Sequence, residues 1–204
     1  MPPQALNNAA ATAELAAALL QARQTILPKR LGAPGPDAAQ LQAILGAAAH
    51  APDHGCLLPW RFVLVPDAAR AALGQAFADA LRERDAQATP EQQEQAREKA
   101  LRAPVLLLVV VDECGGDPEI APSERLVSAG CAVQNPRRMA TALGFGSALT
   151  SGKALQSQAL RGLFALGEGE RALWFVSVGT VVSRKSVRAR PVPACWRKRN
   201  RCWS

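Results

Sequence analysis

Three stretches of this 204-residue chain combine residue types and spacings that suit ligand chemistry. The first is Arg23-Gln24-Thr25, with Lys29 and Arg30 shortly after. A planar guanidinium suits bidentate phosphate binding, and a nearby hydroxyl adds an oxygen donor. Basic residues ending a helix also simply complement its dipole and terminal carbonyls, so the spacing alone leaves both readings open. The second stretch is Ala51-Pro-Asp-His-Gly-Cys-Leu-Leu-Pro-Trp60. Pro52 stops the helical pattern that runs into Ala51, because proline disfavours the α conformation in the residue before it. The result is a short rigid loop presenting His54, either to a ligand or to a structural hydrogen-bond partner. The third is Gly144-Phe-Gly-Ser-Ala-Leu-Thr-Ser-Gly152. Its plain reading is a helix C-cap followed by a turn. It is not the dinucleotide fingerprint, which follows a strand and opens a helix.

Composition bounds what these stretches can belong to. With 49% hydrophobic residues the chain can bury one sizeable core, so a single domain over 1–204 is expected. No apolar run approaches the roughly 20 residues of a membrane span, and the N-terminus lacks a secretory pattern. Five cysteines, Cys56, Cys114, Cys131, Cys195 and Cys202, include no C-x-x-C pair. Reduced thiols of a cytoplasmic protein fit them better than a disulfide framework or a zinc site. Only His50 and His54 supply imidazole, so no metal site is expected. The net charge of +7 is concentrated at one end. From Arg184 onward there are eight basic residues and no acidic one, and the remainder is close to neutral.

The elements that must position these stretches follow from periodicity and punctuation. An Ala/Leu helix is predicted over Ala13–Gln24, after a frayed Met1–Ala11, and prolines 28, 34 and 36 then enforce a loop from Thr25 to Pro36. Asp37 caps a helix carrying Leu41, Ile44 and Leu45. Arg61–Val65 reads as a strand, and Asp67–Arg84 and Pro90–Leu101 as helices, the latter capped by Thr89. Val105–Val111 is a continuous apolar strand of the kind buried on both faces. A long helix from Ser123 is stopped by Gly144, a short strand spans Ser147–Ser151, a helix spans Ser157–Ala165, and Ala172–Val182 is a final strand. Helices covering a central sheet give a three-layer α+β domain.

From about Arg23 to Lys185, the three stretches in this order resemble the nitroreductase family of FMN-dependent oxidoreductases, and within it a subgroup of small NAD(P)H nitroreductases. The loop at Ala51–Trp60 is similar to the family's A-P-S-x-x-N-x-Q-P-W element, in the Asp-His version of that subgroup. The resemblance implies a nitroreductase-type fold, with a central mixed β-sheet flanked by helices, a core of about 13–185 and a basic tail at 186–204. It implies FMN as cofactor, NADH or NADPH as reductant, and ping-pong reduction of a nitroaromatic, quinone or enone. No catalytic side chain follows, because the cofactor carries the redox chemistry.

The family's R-R-S-x-x-R element implies that Arg23, Gln24 and Thr25 hold the FMN phosphate and ribityl chain. Its later basic residue approaches the flavin pyrimidine, where positive charge stabilises the reduced flavin, and Lys29 and Arg30 are alternatives for that role. His54 would contact the flavin of the partner subunit, and Leu58 falls at a cofactor-binding position of the same loop. Leu149, Thr150 and Ser151 fall at the ligand positions of a G-F-G-x-x-W-R-S-G-like segment, and Lys185 at a basic strand end. Ser128-Ala-Gly-Cys-Ala132 resembles the helix that builds the family's homodimer, whose active sites lie between subunits.

The chain also departs from the family. Cys56 and Leu58 stand where it has Asn and Gln, and Leu149-Thr150 replaces a Trp-Arg pair. These changes leave open a degenerate paralogue that binds flavin with little turnover. Asn135-Pro-Arg-Arg-Met139 puts a proline and two charges where relatives are apolar. A proline inside a helix costs about 3 kcal/mol and usually kinks it. The expectation is a kink that turns Arg137 and Arg138 toward solvent. The tail, with Trp196 and Trp203 among basic residues, fits nucleic-acid contacts in principle. The near-neutral core argues against that reading, and a non-functional tail is expected.

Overall fold

Asn8 opens the first helix, α1 (Ala9–Ala22), its carboxamide oxygen accepting the N–H groups of Ala10 and Ala11 at 3.1 and 3.3 Å. That cap starts the helix four residues ahead of the expected Ala13, within the stretch expected to fray. The structure, a computed structural model, describes residues 8–184. Lys185 and the tail therefore lie outside the described residues. Arg23 leaves α1 in an extended conformation, and Pro28 then starts a single 3₁₀ turn, Pro28–Arg30, that leads into β1 (Leu31–Gly32).

Helix α2 (Ala38–Gly46) begins with a full capping box between Asp37 and Gln40, as the sequence predicts. After the His54 loop come β2 (Trp60–Leu64), α3 (Arg70–Arg84) and α4 (Pro90–Arg97), the last capped by Thr89 and Gln92 in the same reciprocal way. β3 (Val105–Asp112), α5 (Pro122–Ala142), β4 (Gly146–Thr150), α6 (Gln158–Leu163) and β5 (Glu170–Val181) complete the order.

The five strands form one sheet in the order β1-β5-β3-β2, with β4 also paired to β5. Each of these pairings is antiparallel. The sheet is therefore antiparallel rather than mixed as expected, and the parallel contact between Thr25 and Ser147 is an isolated bridge outside the named strands. β3 alternates its side chains between two cores. Leu106, Leu108 and Val110 join Leu73, Leu160 and Phe175 on one face, while Val105, Leu107 and Val109 join Ile44, Val133 and Val176 on the other. An antiparallel strand is thus buried on both faces because helices cover each side, giving the three layers.

Helix α5 does not turn both Arg137 and Arg138 to solvent as expected. The helix continues past Pro136 to Ala142, and Arg137 is buried at 8% exposure rather than turned to solvent. Helical spacing explains this: Val133, Arg137 and Ala140 lie at i, i+4 and i+7, and all three are buried. The stripe that packs on the sheet therefore carries a guanidinium inward, while Arg138 is half-buried.

Candidate functional site

A cavity of about 800 Å³ opens where the turn after α1 meets the loop after β4. Leu106 and Phe175 contribute apolar wall, and Thr150 and Ser151 supply hydroxyls. Its charged lining is wholly basic among the described residues: Lys29, Arg84, Lys99, Arg102 and Lys153. Clustered charge of one sign in a concave site raises the local concentration of anions. The Pro28–Arg30 turn separates the two alternative basic residues. Lys29 lines the cavity, whereas Arg30 is not in its lining and offers its carbonyl to the Val182 N–H at 2.9 Å.

A second cluster forms where the Arg23–Ile26 segment meets β4 and α5. The Thr25 hydroxyl accepts from the Arg23 guanidinium at 3.5 Å and from the Arg137 guanidinium at 3.3 Å. Arg137 also donates to the Gln134 carboxamide oxygen at 3.3 Å. Burial, followed by the neighbouring charge of Arg23, pushes the Arg137 pKa down to about 10. Thr25 bridges to Ser147 and the Ile26 N–H donates to the Ser147 carbonyl at 3.0 Å, so β4 is tied to this segment. The Arg137 Nε, the Arg138 Nε and the Ser147 Oγ are buried without a hydrogen-bond partner among the described residues.

The other predicted residues are distributed around these two features. Gln24 lines a separate cleft of about 350 Å³ with Thr141, Phe145 and Arg184. Leu149 packs against the apolar core on the α5 side. His54 and Leu58 sit in the loop before β2, outside the lining of either cavity. The His54 Nδ1 pairs with the Glu124 carboxylate on the first turn of α5 at 2.7 Å, and this hydrogen bond holds the Glu124 carboxyl below its ordinary range. Asp53 binds the loop together by accepting the Leu58 N–H at 2.7 Å. Leu58 itself is 63% exposed.

One chain therefore brings Thr150, Ser151 and Lys29 together, and Arg23 and Thr25 together, but does not join His54 and Leu58 to either group. Arg137 joins Thr25, and Glu124 joins His54, without having been expected there. The signal for Arg137 was available, since a charge stood at a position of the buried helical stripe. Nothing local pointed to Glu124, which lies 70 positions from His54.

Comparison with known proteins places this geometry in context. The sequence model described as Nitroreductase family matches residues 20–180. A Haemophilus influenzae protein named "Putative NAD(P)H nitroreductase" is 37% identical over 155 residues, which is 74% of this chain and 82% of that protein. The crystal structure of a nitroreductase-like family protein from Bacillus cereus superimposes with a TM-score of 0.77 at 19% identity, covering 92% of this chain and 96% of that one. A mutant of NfnB, an FMN and NADPH-dependent nitroreductase from Sphigopyxis sp. strain HMH, gives a TM-score of 0.67 at 19% identity, covering 86% and 94%. At these identities, the two structures show a shared fold.

Proposed function

The chain belongs to the nitroreductase family, and on that premise we propose that it is an FMN-dependent NAD(P)H oxidoreductase that works as a homodimer. Two features near β4 support it: a cation-lined cavity of about 800 Å³, and, outside that cavity's lining, a second cluster of basic and hydroxyl groups around Thr25 and Ser147. A flavin mononucleotide needs both: an apolar-walled space for its rings and a dense set of donors for its phosphate. The residues present fit that demand, because the second cluster holds buried donors, Arg137 Nε and Ser147 Oγ, with no protein acceptor among the described residues.

When bound, FMN supplies the two-electron chemistry, taking a hydride from NADH or NADPH and passing electrons to a nitroaromatic, quinone or enone in a ping-pong cycle. The protein's part is binding, orientation and electrostatics. Arg23 and Thr25 hold the phosphate end, with Gln24 beside them. Lys29 is favoured over Arg30 at the ring end, because Lys29 lines the cavity and presents positive charge there. Thr150 and Ser151 offer hydroxyls to the same space, and Leu149 backs them from the core. Lys185 lies outside the described residues; Arg184, past the end of β5, lines the cleft with Gln24.

The dimer has its own support. Helix α1 is mostly Ala and Leu, yet it has no buried residue, and Leu15 and Leu20 are more than half exposed. Val127 on α5 is 67% exposed and Leu58 63%. Apolar surface of this kind is commonly covered by a partner. A second copy would cover it and bring the His54 loop to the neighbouring site. Light scattering should give a mass near twice 21.6 kDa, and a monomer at working concentration would refute the dimer. The thiols of Cys56, Cys114 and Cys131 are free, in keeping with a reducing cytoplasmic setting.

A second reading is a flavin-binding protein with little turnover. It is favoured by Leu58, whose side chain offers no hydrogen bond where the family has an amide. Steady-state NADH and NADPH oxidation with a quinone or nitroaromatic acceptor separates the two. Acceptor-dependent turnover of 1 s⁻¹ or more, within the range of order 1–10³ s⁻¹ for enzymes, supports the oxidoreductase. Bound FMN without such turnover supports the second reading.

A further inference from the structure

We infer that Arg137, projected inward from α5, completes the anion site begun by Arg23 and Thr25 and serves as a phosphate ligand for FMN. The assignment rests on the flavin reading above. Arg137 is 8% exposed, and a buried guanidinium is strongly unfavourable unless a counter-charge meets it. No carboxylate among the described residues does so. Its two hydrogen-bond partners are neutral oxygens, those of Gln134 and Thr25, each at 3.3 Å. The nearest influential charge is another cation, Arg23, which depresses the Arg137 pKa.

Two guanidiniums thus converge on one hydroxyl, and the uncompensated charge of Arg137 would be relieved by an anion placed beside it. The donor inventory suits a phosphate. Arg137 Nε has no partner, and the Ser147 hydroxyl, on the strand position bridged to Thr25, is buried and equally unpartnered. A phosphate monoester carries about −1.5 to −2 charge near neutral pH and three acceptor oxygens. It would satisfy Arg137 and the unpartnered donors beside it together. The consequence is a site that distinguishes FMN from riboflavin through a residue on α5, where the resembling family has an apolar side chain.

The test compares FMN and riboflavin binding, by quenching of flavin fluorescence, for the wild type, Arg137→Met and Arg137→Lys. Inorganic phosphate is titrated as a competitor of FMN. The expected result is a roughly 10- to 100-fold rise in the FMN Kd for Arg137→Met, the size of one lost charge-assisted contact. Riboflavin affinity should be unchanged, phosphate should compete in the wild type and not in the Met variant, and Lys should recover part of the loss. An FMN Kd within twofold of wild type overturns the inference and leaves the flavin function standing. Equal weakening of FMN and riboflavin overturns it too, since that is the mark of damaged packing. A wild type that binds no FMN overturns the proposed function and this assignment with it.

Discussion

The Asp53 carboxylate accepts the Leu58 N–H at 2.7 Å and holds Leu58 in the left-handed region, at φ 48°. Cys56 in the same loop is also left-handed, at φ 51°. For non-glycine residues this conformation costs about 1–2 kcal/mol each, and Asn tolerates it better than most. The Asp of the Asp-His motif is therefore the clamp of a strained loop, and His54 is presented by it. Replacing Asp53 with Ala should lower stability by about 1–2 kcal/mol through loss of this charge-assisted bond. Cys56→Asn should raise stability by about 0.5–1 kcal/mol, by relieving strain at a compatible position. Urea denaturation midpoints of both variants check this, and a destabilising Cys56→Asn would show that the loop conformation is wrong.

Arg125 performs a similar task for the segment between β3 and α5. It is 2% exposed and donates to the carbonyls of Ile120 at 3.1 Å, Asp117 at 2.6 Å and Gly115. Arg125→Met keeps the volume of the stem but removes the donor of the Ile120 and Gly115 carbonyls, while the Asp117 carbonyl keeps the Ile120 N–H at 3.3 Å. The expected cost is roughly 2–3 kcal/mol, from three lost charge-assisted hydrogen bonds and the buried Ile120 carbonyl left without its donor. A loss below about 1 kcal/mol in denaturant unfolding would contradict a structural role of this size.

The acid limb of stability should report the Arg61–Glu170 pair. Glu170 accepts from Arg61 Nε and a terminal nitrogen at 2.6 and 2.9 Å, and from the Gly167 N–H at 3.0 Å. The Arg61 hydrogen bond, opposed by partial burial, holds the Glu170 carboxyl below its ordinary value of 4.5. A depressed folded-state pKa gives stability that is present above the unfolded value and is lost as pH falls through the folded one. Glu170→Gln should therefore cost about 0.5–1 kcal/mol at pH 7, the range for a partly exposed bidentate pair. The difference from wild type should shrink as pH drops below 4.5. A difference that stays constant from pH 7 to 3 would assign the loss to shape rather than charge.

Local signals made much of the fold legible. Asp37 and Thr89 cap the helices they were expected to cap, and the unbroken apolar run at Val105 marks the strand buried between two layers. Those features depend on neighbours within a few residues. Strand order depends on contacts across the chain, and the pairing of β5 with both β3 and β4 carries no local mark. The site divided the same way. The cavity position of Thr150 and Ser151 and the approach of Arg23 to Thr25 were legible as motif positions. Arg137 was not, because Pro136 argues locally for a break, whereas the packing of Val133 and Ala140 carries the helix through and turns Arg137 inward. Its partner Thr25 lies 112 positions away.

The central claim is tested most directly by the visible absorption spectrum of the purified protein, followed by release and identification of any chromophore. The account predicts a yellow protein that yields FMN at close to one per chain, or that takes it up when FMN is added. A colourless protein that also fails to bind added FMN would contradict it, leaving the family's fold without its chemistry.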